Sequence, residues 1–302
     1  SQSAVFPYCD RLRCSCALCG WYIQSADNWL FMSRDTYDTV SSIDDAFRWV
    51  DHTLRVWARH PECTPLQLAS ALKRKSLSTA FSGVGTPETT TEIIRAHLCS
   101  RGIDASAMTC TFAVEMFAQS QRELLAIPHG PECIFSNMTH FIHESIRAGV
   151  EVALDDNLIS WDDLRSLLCR ADAIAPSAYC GRRNQMCHAR RACFHCAGTP
   201  CIDYSGMAGA RHGGLAGKAS LAFLTWAAQR IQHQEDVIIH ESVEDFPVSV
   251  FSLVLPMYIA NTLVIGPDTL GWPVRRPRRI TVLVHQTQAA APVLLVQIEQ
   301  TI

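Results

Sequence analysis

Residues 76–115 read SLSTAFSGVGTPETTTEIIRAHLCSRGIDASAMTCTFAVE, and this stretch decides the fold. Leu77 to Phe81 is a short apolar run bounded by a turn, the pattern of a buried strand. Ser82-Gly83-Val84-Gly85 supplies glycines where a chain must reverse. Thr86-Pro87-Glu88 then opens a helix with proline in its first turn, and the helix reaches about Ser100 before Gly102 ends it. A second strand, Thr109 to Val114, delivers Glu115 at its carboxyl end. Strand, glycine turn, helix and strand with a terminal acid form the layout of a nucleotide-type cofactor site. Backbone amides of the turn lie near the ligand and the carboxylate meets ribose hydroxyls.

The same alternation continues downstream. Cys133 to Phe135 forms a third short strand ending in Ser136-Asn137-Met138, and residues 139–182 read as a helical insertion in which Ser160 caps a helix carrying Leu164, Leu167 and Leu168. Ala192 to Ala197 is a fourth strand and feeds Gly198-Thr199-Pro200-Cys201. A glycine-rich loop, Ser205 to Gly217, leads to a helix whose buried face carries Leu221, Leu224, Ala228 and Ile231. Val237 to His240 and Ile280 to Val284 are further strands, the former followed by Glu241. β-branched strands alternating with helices predict an α/β fold, a mostly parallel sheet with helices on both faces, whose sites lie at the carboxyl ends of the strands. Upstream, Ile43, Phe47, Val50, Leu54 and Trp57 recur at helical spacing, and Thr64-Pro65 opens a second helix to about Lys75. The expected organisation is an N-terminal extension over 1–75 and a catalytic domain over 76–302.

Pro200-Cys201-Ile202-Asp203-Tyr204-Ser205, Glu241-Ser242-Val243 and Val274-Arg275-Arg276-Pro277-Arg278 follow one another in this order. They resemble the motifs of the cytosine-C5 DNA methyltransferases. In that family Pro-Cys-x-x-x-Ser carries the nucleophile, Glu-Asn-Val a glutamate, and Gln-x-Arg-x-Arg follows. The resemblance runs from about Ser76 to His285 and implies a Rossmann-like, S-adenosylmethionine-dependent methyltransferase fold acting on cytosine in duplex DNA. It implies Cys201, Glu241, Arg276 and Arg278 as catalytic residues. The cofactor would be held by Phe81, Gly83, Val84, Gly85, Glu115, Met116, Asn137, Met138 and Pro200. Ser205, Arg211 and His212 would touch the substrate backbone. Asn137 stands for the family's usual aspartate, Ser242 for asparagine and Val274 for glutamine. An RNA cytosine methyltransferase of the same fold and a catalytically silent regulatory module are the alternatives, and intact Cys201 and Glu241 argue against the latter. The family's target-recognition domain and last motifs would follow the arginines. Starting at Ser1 without methionine and stopping at Ile302, the chain reads as a piece of a longer protein.

With 26 Lys+Arg against 29 Asp+Glu, the net charge of −3 excludes a molecule held to nucleic acid by an overall basic field. Any such surface is local, and the dense runs are Arg182-Arg183, Arg190-Arg191 and Arg275 to Arg279. Fourteen cysteines in a long chain with an ample apolar fraction and no signal-peptide pattern read as reduced thiols of an intracellular protein, nuclear if eukaryotic. Val248 to Gly266 carries no charge, but Pro256, Asn261 and serines interrupt it, so a buried strand or helix beside the site is expected rather than a membrane span. Cys9, Cys14, Cys16 and Cys19 have a density compatible with a structural zinc site. Cys187, His188, Cys193, His195 and Cys196 read as core, because neighbouring strand residues point to opposite faces.

Overall fold

The computed structural model describes residues 64–155, 158–170, 172–200, 219–266, 268 and 275–287. The elements expected near the glycine turn form as read. Strand β1 spans Ser76–Ala80, helix α2 spans Thr86–Ser100 and strand β2 spans Thr109–Val114. Before them, α1 (Pro65–Arg74) starts at a full capping box: the Thr64 hydroxyl accepts from Gln67 N–H, and the Gln67 side chain accepts from Thr64 N–H. Leu68, Ala69, Ala71 and Leu72 of α1 pack with Leu77, Leu98, Phe194 and Val237. This helix, counted with the N-terminal extension, thus shares a core with the sheet.

The remaining elements are α3 (Ala118–Ala126), β3 (Ile134–Phe135), a 3-10 turn (Met138–Phe141), α4 (Glu144–Asp155), α5 (Trp161–Leu168), β4 (Ser177–Cys180), β5 (Gln185–His188), β6 (Phe194–Ala197), α6 (Ala219–His233), β7 (Val237–Val243), α7 (Val250–Val254), β8 (Tyr258–Ile265) and β9 (Arg278–His285). Ser160 caps α5 by accepting from Asp163 N–H. One nine-stranded sheet results, in the order β5-β4-β3-β2-β1-β6-β7-β9-β8. β3, β2, β1, β6 and β7 are mutually parallel. Antiparallel pairs extend both edges, so only β4 and β9 run against the other strands. This is a Rossmann-like α/β fold. Its larger core lies on the face covered by α4 to α7, where Phe112, Phe135, Phe141, Leu164, Trp226 and Phe251 are buried. α1 and α2 cover the other face.

Two segments depart from the sequence reading. The expected helical insertion over 139–182 is helical only to Leu168; from Ser177 it is the first strand of the β4–β5 hairpin. Its four-residue strands are too short to show the period-two alternation that identifies longer ones. The uncharged stretch from Val248 divides into the short α7 and the edge strand β8. Among the described residues no helix is long and apolar enough to cross a membrane.

Candidate active site

The ends of the five parallel strands are level. Phe135 pairs with Val114, Val114 with Ala80, Ala80 with Ala197, and Ala197 with His240. The next residue on each strand therefore falls in one row along the carboxyl edge: Ser136, Glu115, Phe81, Gly198 and Glu241. Glu115 and Glu241 are three strand spacings apart in this row, roughly 14 Å at the usual inter-strand distance.

At β1 the chain turns sharply. Phe81 has φ +56°, a left-handed conformation that a bulky side chain rarely adopts, and Gly83 and Gly85 follow at +55° and +83°. A Cβ on Gly85 would lie 2.5 Å from Ile127 Cδ1 and 2.8 Å from Leu124 Cδ2, so this position needs glycine for space as well as for φ. The Glu115 carboxylate is turned onto the loop: Gly83 N–H donates to Oε2 at 2.7 Å and Phe117 N–H to Oε1 at 2.8 Å. Each carboxylate oxygen keeps a further lone pair. Val84 and Met116 are exposed beside it. Behind the turn, Thr79 Oγ1 donates to buried Glu88 Oε1 at 2.5 Å, and burial raises the Glu88 carboxyl above its ordinary range, outweighing that hydrogen bond.

Asn137 Oδ1 accepts from Thr139 N–H at 3.0 Å and so caps the 3-10 turn, which leaves this oxygen one lone pair and both amide hydrogens for a ligand. The Met138 side chain lies in the larger core, 1% exposed, and does not face the edge.

Glu241 does not close its strand. It instead lies inside β7 with its side chain 43% exposed, because β6 stops opposite His240 while β9 continues to pair beyond it. Arg278, at the start of β9, meets it through Nε–H to Oε1 at 2.7 Å. On its open side the carboxylate approaches Gly198: a Cβ there would lie 3.2 Å from Oε2. The sequence reading passed over Gly198, although a glycine closing a strand is a signal for close backbone approach. Arg276 is exposed. Pro200 is the last described residue before the loop, so Cys201, Ser205, Arg211 and His212 lie outside the described residues, as do Val274, Cys9, Cys14, Cys16 and Cys19.

Beneath this row lies a buried polar layer, in which His195, read from the sequence as core, is fully buried. Trp226 Nε1–H donates to His195 Nε2 at 2.9 Å, so Nδ1 carries the proton and donates to Ser78 Oγ at 2.8 Å. Burial holds His195 well below the ordinary histidine range. Thr199 Oγ1 bonds His240 Nε2 at 2.7 Å, and burial pushes His240 down to about 3. Thr199 thereby ties the segment preceding Cys201 to the strand that carries Glu241.

No family model and no curated protein matches the chain. Solved structures similar to it include one described as a DNA modification methyltransferase encoded within an E. coli prophage (13% identity, TM-score 0.37, 70% of this chain covered), the Entamoeba histolytica methyltransferase EhMeth (14%, 0.41, 70%) and the S. pombe Dnmt2 methyltransferase (12%, 0.37, 70%). The chain spans about half the length of each, 47%, 52% and 50% respectively.

Proposed function

We propose that the chain is the catalytic portion of an S-adenosylmethionine-dependent enzyme that methylates carbon 5 of cytosine in DNA. The observation that carries the reading is the Glu241 carboxylate, fixed by Arg278 at 2.7 Å and lying against Gly198, three residues before Cys201 on the neighbouring strand. A carboxylate there, with a thiol three residues further along the chain from Gly198, would suit two edges of one flat ring.

Cytosine C5 is not nucleophilic enough to take a methyl group from a sulfonium. Addition of the Cys201 thiolate to C6 turns the ring into an enamine-like nucleophile at C5. Glu241 would hold N3 and the exocyclic amine, stabilising the electron density that moves onto the ring as sulfur adds. Arg278 keeps the carboxylate in place, and Arg276 is the further cation offered to the base or to sulfur. The target must leave the duplex, and the glycines between Ser205 and Gly217 suit a loop that closes over it, with Ser205, Arg211 and His212 offered to phosphates.

The cofactor fits the other half of the row. The positive-φ turn from Phe81 to Gly85, Glu115 with lone pairs to spare, exposed Val84 and Met116, and Asn137 with its amide hydrogens surround one section of the edge. When bound, the sulfonium supplies an electrophilic methyl group. Pro200 and the backbone beside Met138 would border it.

Trapping with a 5-fluorocytosine oligonucleotide tests the assignment, run on the full-length parent protein with DNA and RNA forms. Cys201→Ser is expected to abolish the covalent adduct and leave cofactor binding intact, and Glu241→Gln to slow adduct formation by about 10²-fold or more. An undiminished adduct in Cys201→Ser refutes the nucleophile, and trapping by RNA alone reassigns the substrate.

A further inference from the structure

We propose that Cys133, Cys180 and Cys187 form a thiolate site for a thiophilic d10 metal ion, zinc in the first place, which clamps the β4–β5 hairpin to the sheet. All three side chains are buried, and their sulfurs lie within 4.8 Å of one another. The strand register places all three on one face of the sheet. Phe135 pairs with Cys180, and Cys133, just before β3 and two residues from Phe135, lies on the same face. Cys180 pairs with Gln185, which puts Cys187 two residues along β5, again on that face. Cys180 thus lies between Cys133, at the start of β3, and Cys187 of β5. Sulfurs of a tetrahedral zinc site with Zn–S near 2.3 Å stand about 3.8 Å apart, so the cluster needs to contract by at most about 1 Å.

The surroundings of the cluster supply a backbone donor to sulfur and two nearby cations. Arg183 N–H donates to Cys180 Sγ at 3.4 Å across the tight turn of Gly181 to Asn184, where Asn184 has φ +53°. Binding would displace the thiol protons to solvent, leave three thiolates around a dication and take a fourth ligand from solvent. The residual negative charge lies beside Arg182 and Arg183, which are themselves tied to Pro131 and Glu132 just ahead of Cys133. The mechanical role follows from the ladder: β3 and β4 share the single pair Phe135–Cys180, supplemented by Gly181 N–H to the Ile134 carbonyl. A metal cross-link would strengthen that thin joint three residues before Ser136, and so fix the edge that carries Asn137.

The test uses the full chain purified reduced and without chelators. Cys9, Cys14, Cys16 and Cys19 are replaced together by serine so that they contribute nothing. This variant is expected to retain close to one equivalent of zinc by elemental analysis. Its cobalt form should show thiolate-to-metal charge transfer with the intensity of three sulfurs, and Cys180→Ser in the same background should lose both. Should Cys180→Ser fail to fold, alkylation of the four-serine variant is mapped with and without a chelator. Simultaneous unmasking of Cys133, Cys180 and Cys187 by the chelator supports the site. Zinc far below one equivalent, content unchanged by Cys180→Ser, or alkylation indifferent to the chelator overturns it.

Discussion

Two glycines set opposite kinds of limit at the candidate site. At Gly198 the obstacle to a methyl group is the Glu241 carboxylate, 3.2 Å away and partly exposed, so the side chain has room to move. Gly198→Ala is therefore expected to cost under about 1 kcal/mol in urea unfolding, yet to slow adduct formation by about tenfold, because the displaced carboxylate no longer meets the base. At Gly85 the backbone itself forbids the change. With φ +83° and clashes at 2.5 and 2.8 Å, Gly85→Ala should destabilise by about 1–3 kcal/mol in the same assay and weaken cofactor binding. If the first variant unfolds easily or the second does not, the two roles are wrongly assigned.

Helix α6 shows what one element contributes to the site without touching it. The sequence reading gave it a single buried face, Leu221, Leu224, Ala228 and Ile231. In the structure nearly every residue from Ser220 to Arg230 is buried, since α5, α7 and the 3-10 turn pack around it. A helix covered on its outer side can carry polar groups inward if each is paired. Trp226 thus serves His195, and Arg230 forms a fully buried ion pair with Glu235. Trp226→Phe keeps most of the packing but leaves His195 Nε2 without its donor. A loss of about 1–3 kcal/mol in chemical denaturation is expected. A loss within error would mean that solvent or a tautomer change satisfies the ring.

At the scale of the molecule these buried rings predict acid sensitivity. His240, held down to about 3, and His195, lowered in the same direction, stay neutral in the folded protein while the unfolded chain protonates them below about pH 6.5. The unfolded state then binds more protons, so stability present above pH 6.5 is lost as the pH falls, by about 1.4 kcal/mol per pH unit for each ring. Glu88 works the other way, because its raised carboxyl keeps a proton that the unfolded chain releases above its ordinary range. It offsets at most one of the two histidines. Urea midpoints should therefore fall steadily between pH 6.5 and 5, and His240→Gln should remove about one proton's share of that slope. A flat profile would show that the rings are charged or solvated in the folded state.

What the sequence by itself determined is local. The bounds of α2 and β2, the caps at Thr64 and Ser160 and the glycine turn follow from proline, hydroxyl side chains and positive φ, all of which act within a few residues. The alternation of strand and helix then leaves few ways to bury the apolar faces, which is why the α/β class was legible too. Only the tertiary structure decided which residues meet. The insertion of β9 between β7 and β8 brings Arg278 onto Glu241, and the level strand ends place Glu115, Gly198 and Glu241 in one row. The β4–β5 hairpin brings Cys187 beside Cys133 and Cys180, whereas the sequence grouped it with His188, Cys193, His195 and Cys196 as core. Strand order and register are set by pairing between segments far apart in the chain, and periodicity within one segment carries no information about its partner.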